Sequence, residues 1–340
     1  VGDRPGNFVI RSADLVIVLG CRLNIRQISY NWESFAPNAK IIMVDIDKYE
    51  LSKPTLKLAK KFHHDLKDFL KALNQEINSW KPQRSHKKFL AWCKTKVLEY
   101  PVVEEKHFVN QTLINPYAFF KELYHCVKSD DVMVLGNGSA CVMGYQSAVI
   151  KKGLRLFTNS GSASMGYALP AAIGASLARS NGMSRVICVT GDGSIMMNLQ
   201  ELATINFNKL PIKIFIMDNG GYHSIRQTQM NHFPDNSSGT SANDGLGFPN
   251  FIKIAQAFEI GSTNLQSISN LKKALKSEDY LNSEPHIFLL KLDTNQHFEP
   301  KLQSRKLPDG SMTSPELHDM APFLSSKELK ENILENDDEE

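Results

Sequence analysis

Short, nearly unbroken runs of apolar and β-branched residues recur along the chain, most of them closed by a Gly, Asn or Asp turn. They fall at 14–19 (DLVIVL), 40–46 (KIIMVDI), 131–135, 154–158, 185–190, 212–218 and 286–292. Runs that do not alternate with polar residues mark strands buried on both faces of a parallel sheet. Stretches with helical spacing lie between them. One is 64–73; another opens at Asn115 and Pro116, an Asn cap followed by Pro at the first helical position. Alternating β and α segments predict an α/β fold, with parallel sheets and helices on both faces.

The same pattern divides the chain. An α/β unit at 1–78 is followed by a polar connector at 79–112, helical in places and carrying Pro82 and Pro101. A second α/β unit spans 113–297, and a tail follows at 298–340. The stretch 230–248, rich in Asn, Ser, Gly and Asp, reads as a mobile loop. The tail reads as Pro-containing coil with a frayed acidic end at 336–340.

Composition narrows the picture. At 340 residues there is room for roughly two domains, and 42% apolar with 22% charged residues describes a globular protein. The net charge of +3 comes from scattered Lys and Arg with no basic block interleaved with aromatics, so it gives no argument for nucleic acid and no such partner is expected. The longest apolar run, 167–178, is too short to span a bilayer, so no membrane is expected. Five cysteines without a CxxC pair, and no visible signal peptide, point to reduced thiols in a cytoplasmic protein. The chain opens on Val1 in mid-motif and reads as a fragment.

The chemistry concentrates in two turns. Gly191-Asp192-Gly193-Ser194 ends one strand, and Asp218-Asn219-Gly220-Gly221 ends the next, with 27 positions from Asp192 to Asn219. In a parallel βαβ unit both turns lie at the same carboxyl edge, where open α/β sheets bind ligands. A carboxylate and an amide oxygen meet there beside glycines. Sparse hard oxygen ligands, completed by phosphate oxygens, suit Mg²⁺, so the pair fits a Mg²⁺-bridged diphosphate. Either turn alone would be unremarkable, since Asp-Gly and Asn-Gly are common turn pairs. Gly136-Asn137-Gly138-Ser139-Ala140 also follows a strand and opens a helix, so its amides can cradle phosphate. A dinucleotide fingerprint would want a third Gly where Cys141 stands.

The two turns resemble the thiamine-diphosphate signature, GDG followed after about 25–30 residues by NN. Asp218 replaces the first Asn, and Asn219 keeps the second, which is the metal ligand. Residues 158–175 (TNSGSASMGYALPAAIGA) resemble the segment that acetolactate synthases place beneath the cofactor. There Met165 falls where a Met forces the cofactor into a V shape, and Ala163 where a backbone carbonyl accepts from the pyrimidine amine. The resemblance implies Mg²⁺ on Asp192, Asn219 and the Gly221 carbonyl. It implies thiamine diphosphate against Gly136, Asn137, Gly138, Ser139, Gly191, Gly193, Ser194, Gly221 and Tyr222.

Three departures qualify it. Ser139 and Ala140 stand where Gln-His is usual, and Thr228 stands for the Trp of RQWQ that closes over the acceptor. In residues 12–51, similar to the second half of the middle domain, Gly20, Arg22, Asp45 and Ile46 match flavin-contacting positions. Asn24-Ile25 replaces the Asp-Asp pair beyond Arg22, which leaves FAD open.

By resemblance the activity is decarboxylation of a 2-oxo acid such as pyruvate, with transfer of the two-carbon unit to an acceptor carbonyl. A keto-sugar acceptor, simple decarboxylation or oxidation, and a cofactor-binding chain without activity stay open. In that family the site lies between two subunits of a homodimer or homotetramer, and an N-terminal domain supplies an essential Glu. These residues contain no such domain, so the chain alone is expected to be incompetent.

Individual side chains add less. His223 follows the second turn and would face the cleft; a lone loop histidine is more often solvated than catalytic, and its role stays open. Arg226 and Gln227 read as acceptor contacts or rim residues. Glu201 reads as structural, and His63-His64 have no partner at metal-ligand spacing.

Overall fold

The computed structural model describes residues 2–109, 112–178, 185–306 and 309–334. The chain forms two compact units, residues 1–102 with 299–340, and residues 103–298.

The first unit holds three parallel strands in the order β1 (Leu15–Leu19), β2 (Lys40–Asp45) and β3 (Lys60–His63). β3 has no strand signature, because Phe62 is its only large apolar residue. It is an edge strand whose exposed lysines face water, and pairing with β2 in the register Val44↔Phe62 defines it. The helix Leu66–Glu76 starts at Asp65, whose carboxylate accepts from the Lys67 amide at 2.8 Å.

The tail differs from the expected coil. Leu317 and Met320 are buried, the Asn7 side-chain amide donates to the Leu317 carbonyl at 2.7 Å, and the Tyr100 hydroxyl donates to Glu328 at 2.9 Å. These contacts are long-range and mostly polar, so no hydrophobic period along the tail announces them. The acidic end at 336–340 lies outside the described residues.

The second unit is a six-stranded parallel sheet in the order β5-β4-β6-β7-β9-β8. Its strands are β4 (Val132–Leu135), β5 (Arg155–Phe157), β6 (Val186–Gly191), β7 (Ile212–Asp218), β8 (Gly261–Leu265) and β9 (His286–Lys291). Alternate side chains feed two cores. Val134, Cys188, Ile214 and Leu289 pack with Leu169, Ala172, Leu202 and Ile205 of the helices Ala168–Ala178 and Glu201–Phe207. On the other face Phe215 stacks on Phe288 at 4.9 Å and meets Phe119 of the helix Pro116–Cys126 at 5.4 Å. The expected α/β class, with helices on both faces, is therefore what the chain adopts. β8, with the sequence GSTNL, went unread because an edge strand can be polar. All five cysteines are free, and burial pushes the Cys188 thiol up to about 12. No helix among the described residues is long and apolar enough to cross a membrane.

His286 opens β9 beneath Thr263, 2.9 Å from its hydroxyl, and burial holds the imidazole below its ordinary value of 6.5. The unfolded chain thus binds the proton more readily, so this stabilising contribution is present above 6.5 and is lost as the pH falls. Urea midpoints at pH 7.5 and 5.5 should fall more for the wild type than for His286→Gln; equal slopes would show that His286 does not carry the acid sensitivity.

Candidate active site

β6 and β7 run side by side in parallel, Gly191 opposite Met217, so the chain leaves both strands at the same edge. Asp192, only 1% exposed, ties the two exits together: its Oδ1 accepts from the Gly193 amide at 2.7 Å and its Oδ2 from the Gly221 amide at 3.0 Å. Burial raises its pKa to about 6 against the opposing pull of those amides. Beside it Asn219 is buried, and its Oδ1 has no hydrogen-bond partner. Ser139 Oγ, at the start of the helix Ser139–Gln146, is buried and unpartnered as well. Buried polar atoms are rarely left unpaired, and a buried acid beside such an oxygen fits a cation better than an empty pocket. Among the described residues no group of three or more His, Cys, Asp or Glu side chains assembles that could hold a metal.

Two glycines are fixed by close approach. A Cβ on Gly221, whose φ is +136°, would sit 1.9 Å from the Thr240 carbonyl oxygen, and one on Gly193 would sit 2.3 Å from the Tyr222 ring. The segment bearing Met165 is anchored to the same turn. The Gly166 amide donates to Ser194 Oγ at 3.0 Å, and the Asn198 side chain donates to the Gly166 carbonyl at 3.0 Å. Ala163 holds a left-handed φ of +50°, a conformation that non-glycine residues keep only where the surroundings enforce it. Together these turns form a cleft of about 90 Å³, open to solvent, with Asn137, Gly138, Met165, Asp192, Asn219 and Tyr222 in its walls.

Residues 1–73 match the thiamine pyrophosphate enzyme central domain, and residues 136–284 match the thiamine pyrophosphate enzyme C-terminal TPP binding domain. The chain belongs to the thiamine pyrophosphate enzymes. It is 31% identical over 301 residues to the acetolactate synthase isozyme 2 large subunit of Escherichia coli (strain K12), covering 88% of this chain and 51% of that protein. It is 29% identical over 355 residues to a probable acetolactate synthase large subunit of Methanococcus aeolicus, covering 98% and 56%. With the acetolactate synthase large subunit of Porphyra purpurea it shares 32% over 285 residues, 81% of this chain and 45% of that protein. The chain thus spans about half the length of the curated relatives it matches.

Within this family member most of the expected cofactor positions converge on the cleft: Asn137, Gly138, Ser139, Gly191, Gly193, Ser194, Gly221 and Tyr222, with Asp192, Asn219 and Met165. Gly136 and Ala163 are not in its walls. The Gly136 amide is spent inside the sheet on the Val189 carbonyl at 2.8 Å. Asp218 pairs with Lys291, its neighbour across β7 and β9. Gly20, Arg22, Asp45 and Ile46 gather at the carboxyl edge of the first unit's sheet. There Gly20 turns at φ +56°, and the Asp45 carboxylate accepts from the Asp47 amide at 2.9 Å.

At two side chains and one segment the structure adds what the sequence does not show. His223 lines the cleft as expected but is not solvated: it is 6% exposed, and its Nε2 lies 2.9 Å from the Gln296 carbonyl and against the Gln227 amide. Arg226 is not a rim residue, since its guanidinium donates to the Asn219 carbonyl at 3.0 Å and helps fix that turn. The stretch 230–248 is largely loop, as expected, and carries ordered contacts. The helix His223–His232 enters it, and the Thr240 carbonyl accepts from the Tyr222 amide at 2.9 Å. A serine followed three residues on by an acid, Ser241 and Asp244, was the available signal.

Gly221→Ala should lower stability by about 1–3 kcal/mol, because the left-handed backbone and the Thr240 contact are both lost. Gly174→Ala, in an open helical position with nothing near its Cβ, should raise it by about 0.5–1 kcal/mol. Urea denaturation of both variants checks the contrast, and a neutral Gly221→Ala would show that the turn is free to move.

Proposed function

We propose that this chain carries the metal- and diphosphate-binding part of an acetolactate synthase-like enzyme. That enzyme would decarboxylate a 2-oxo acid such as pyruvate and join the two-carbon unit to an acceptor carbonyl. The carrying observation is the unpartnered Asn219 Oδ1 buried at the same sheet edge as the Asp192 carboxylate. Family membership and relatives named as acetolactate synthases support the reading.

In it Asp192, Asn219 and the Gly221 carbonyl hold Mg²⁺. The amides of Gly138, Gly193 and Ser194, with the Ser139 hydroxyl, receive the diphosphate. When bound, thiamine diphosphate would supply the electron sink for loss of carbon dioxide. The protein's part is orientation. Ser194 and Asn198 fix Met165 through Gly166, and Arg226 fixes Asn219. Ionised Asp192 needs a cation to offset its burial, so metal and diphosphate should bind as a unit. Thr228 is exposed, its hydroxyl bonded to the Ser224 carbonyl at 3.1 Å, and adds no aromatic wall. An acceptor bulkier than a second 2-oxo acid therefore fits as well. The domain reading follows: 1–78 as part of the central domain, 79–112 as connector, and 113–297 as the cofactor domain.

Titration calorimetry of the 340-residue chain with thiamine diphosphate and Mg²⁺ tests this. Asp192→Ala and Asn219→Ala should each weaken Mg²⁺-dependent binding tenfold or more, about 1.4 kcal/mol. Asp218→Asn, whose partner is Lys291, should be close to neutral. A silent Asp192→Ala beside a damaging Asp218→Asn would overturn the ligand assignment.

A further inference from the structure

We infer that Asp244 is a positioning residue for the turn at 219–222, clasping the loop at 237–246 so that it braces Gly221 and Tyr222. The inference rests on the reading of that turn as a metal and diphosphate site. Five donors converge on the Asp244 carboxylate. Its Oδ1 accepts from the Thr240 amide at 3.0 Å, from the Ser241 amide and from Ser241 Oγ at 3.1 Å. Its Oδ2 accepts from Thr240 Oγ1 at 2.7 Å and from Ser237 Oγ. The Gly239 amide donates to the Asp244 carbonyl at 3.0 Å, and the Leu246 amide donates to the Ser241 carbonyl at 2.9 Å. These donors hold the Asp244 carboxyl well below the usual carboxylate range, so it is ionised at neutral pH.

The clasp ends on the cleft. Thr240, bound twice by Asp244, is fully buried, and its carbonyl takes the Tyr222 amide at 2.9 Å. Gly221 and Ser241 form an antiparallel bridge, and the Thr240 carbonyl occupies the space a side chain at 221 would need. Further along the loop Phe248 meets the Tyr222 ring edge-on at 6.1 Å, and both rings close over Gly193. One carboxylate thereby sets the loop that presses on the second turn and, through Tyr222, on the first. Ser237, Ser238 and Gly239 are exposed and bring no apolar anchor. Outside the clasp, the Gln229 side chain holds Ser238 alone, donating to its carbonyl and accepting from its amide at 3.1 Å, so the carboxylate carries most of what offsets the entropy of the shape around Thr240. Asp244 is not itself in the walls of the cleft, so it acts through Thr240.

The test uses Asp244→Ala and Asp244→Asn in the full chain, with amide hydrogen exchange at Tyr222 read without cofactor or metal. A second readout is the Mg²⁺ concentration that half-saturates thiamine-diphosphate binding in calorimetry. Asp244→Ala should speed Tyr222 exchange roughly tenfold or more and raise that Mg²⁺ concentration by about fivefold, with the global urea midpoint unchanged. Asp244→Asn should recover part of both, because its amide oxygen still accepts from the Thr240 and Ser241 amides. Wild-type protection of Tyr222 in Asp244→Ala would overturn the clasp. Faster exchange with an unchanged Mg²⁺ requirement would overturn its positioning role. If the wild-type chain binds no thiamine diphosphate, the functional reading falls and the exchange measurement alone decides the clasp.

Discussion

One carboxylate joins the two turns on which the cleft is built. Asp192 leaves β6 and spends both oxygens on backbone amides, one in its own turn and one at Gly221 beyond β7. The cost of burying it is visible in a pKa raised to about 6 even with those amides donating. Such a group is poorly matched to an empty site and well matched to one that receives a cation. The surrounding features lock the geometry further: glycines where backbone and ring approach, a left-handed Ala163, and a guanidinium on the Asn219 carbonyl.

The rigidity comes from the sheet beneath. β6 and β7 are buried along nearly their whole length, and the aromatic stack of Phe119, Phe215 and Phe288 holds one face while aliphatic helices hold the other. A one-residue slip between these strands would turn each buried side chain to the opposite core, so the register is strongly specified. That register sets which residues emerge together at the edge. Polar chemistry is thus positioned by apolar packing several residues away. The same sheet explains why Asp218 can depart from the family pattern. At the end of β7 it finds Lys291 on the adjacent strand and needs no role in the cleft.

Five of the six strands of the central sheet, its parallel α/β class, and the meeting of Asp192 with Asn219 were determined by sequence. Unbroken β-branched runs allow little else, and parallel connectivity forces consecutive strand exits to one edge. What escaped had no local period. β3 and β8 are polar edge strands defined by their neighbours, and the tail is held by single long-range bonds such as Asn7 to Leu317. Only the tertiary structure decided that His223 is buried, that Arg226 serves the Asn219 backbone, and that Asp244 organises a loop against Gly221. Each depends on an approach of two backbones or on the burial of one polar atom, quantities that arise only once the chain has closed on itself.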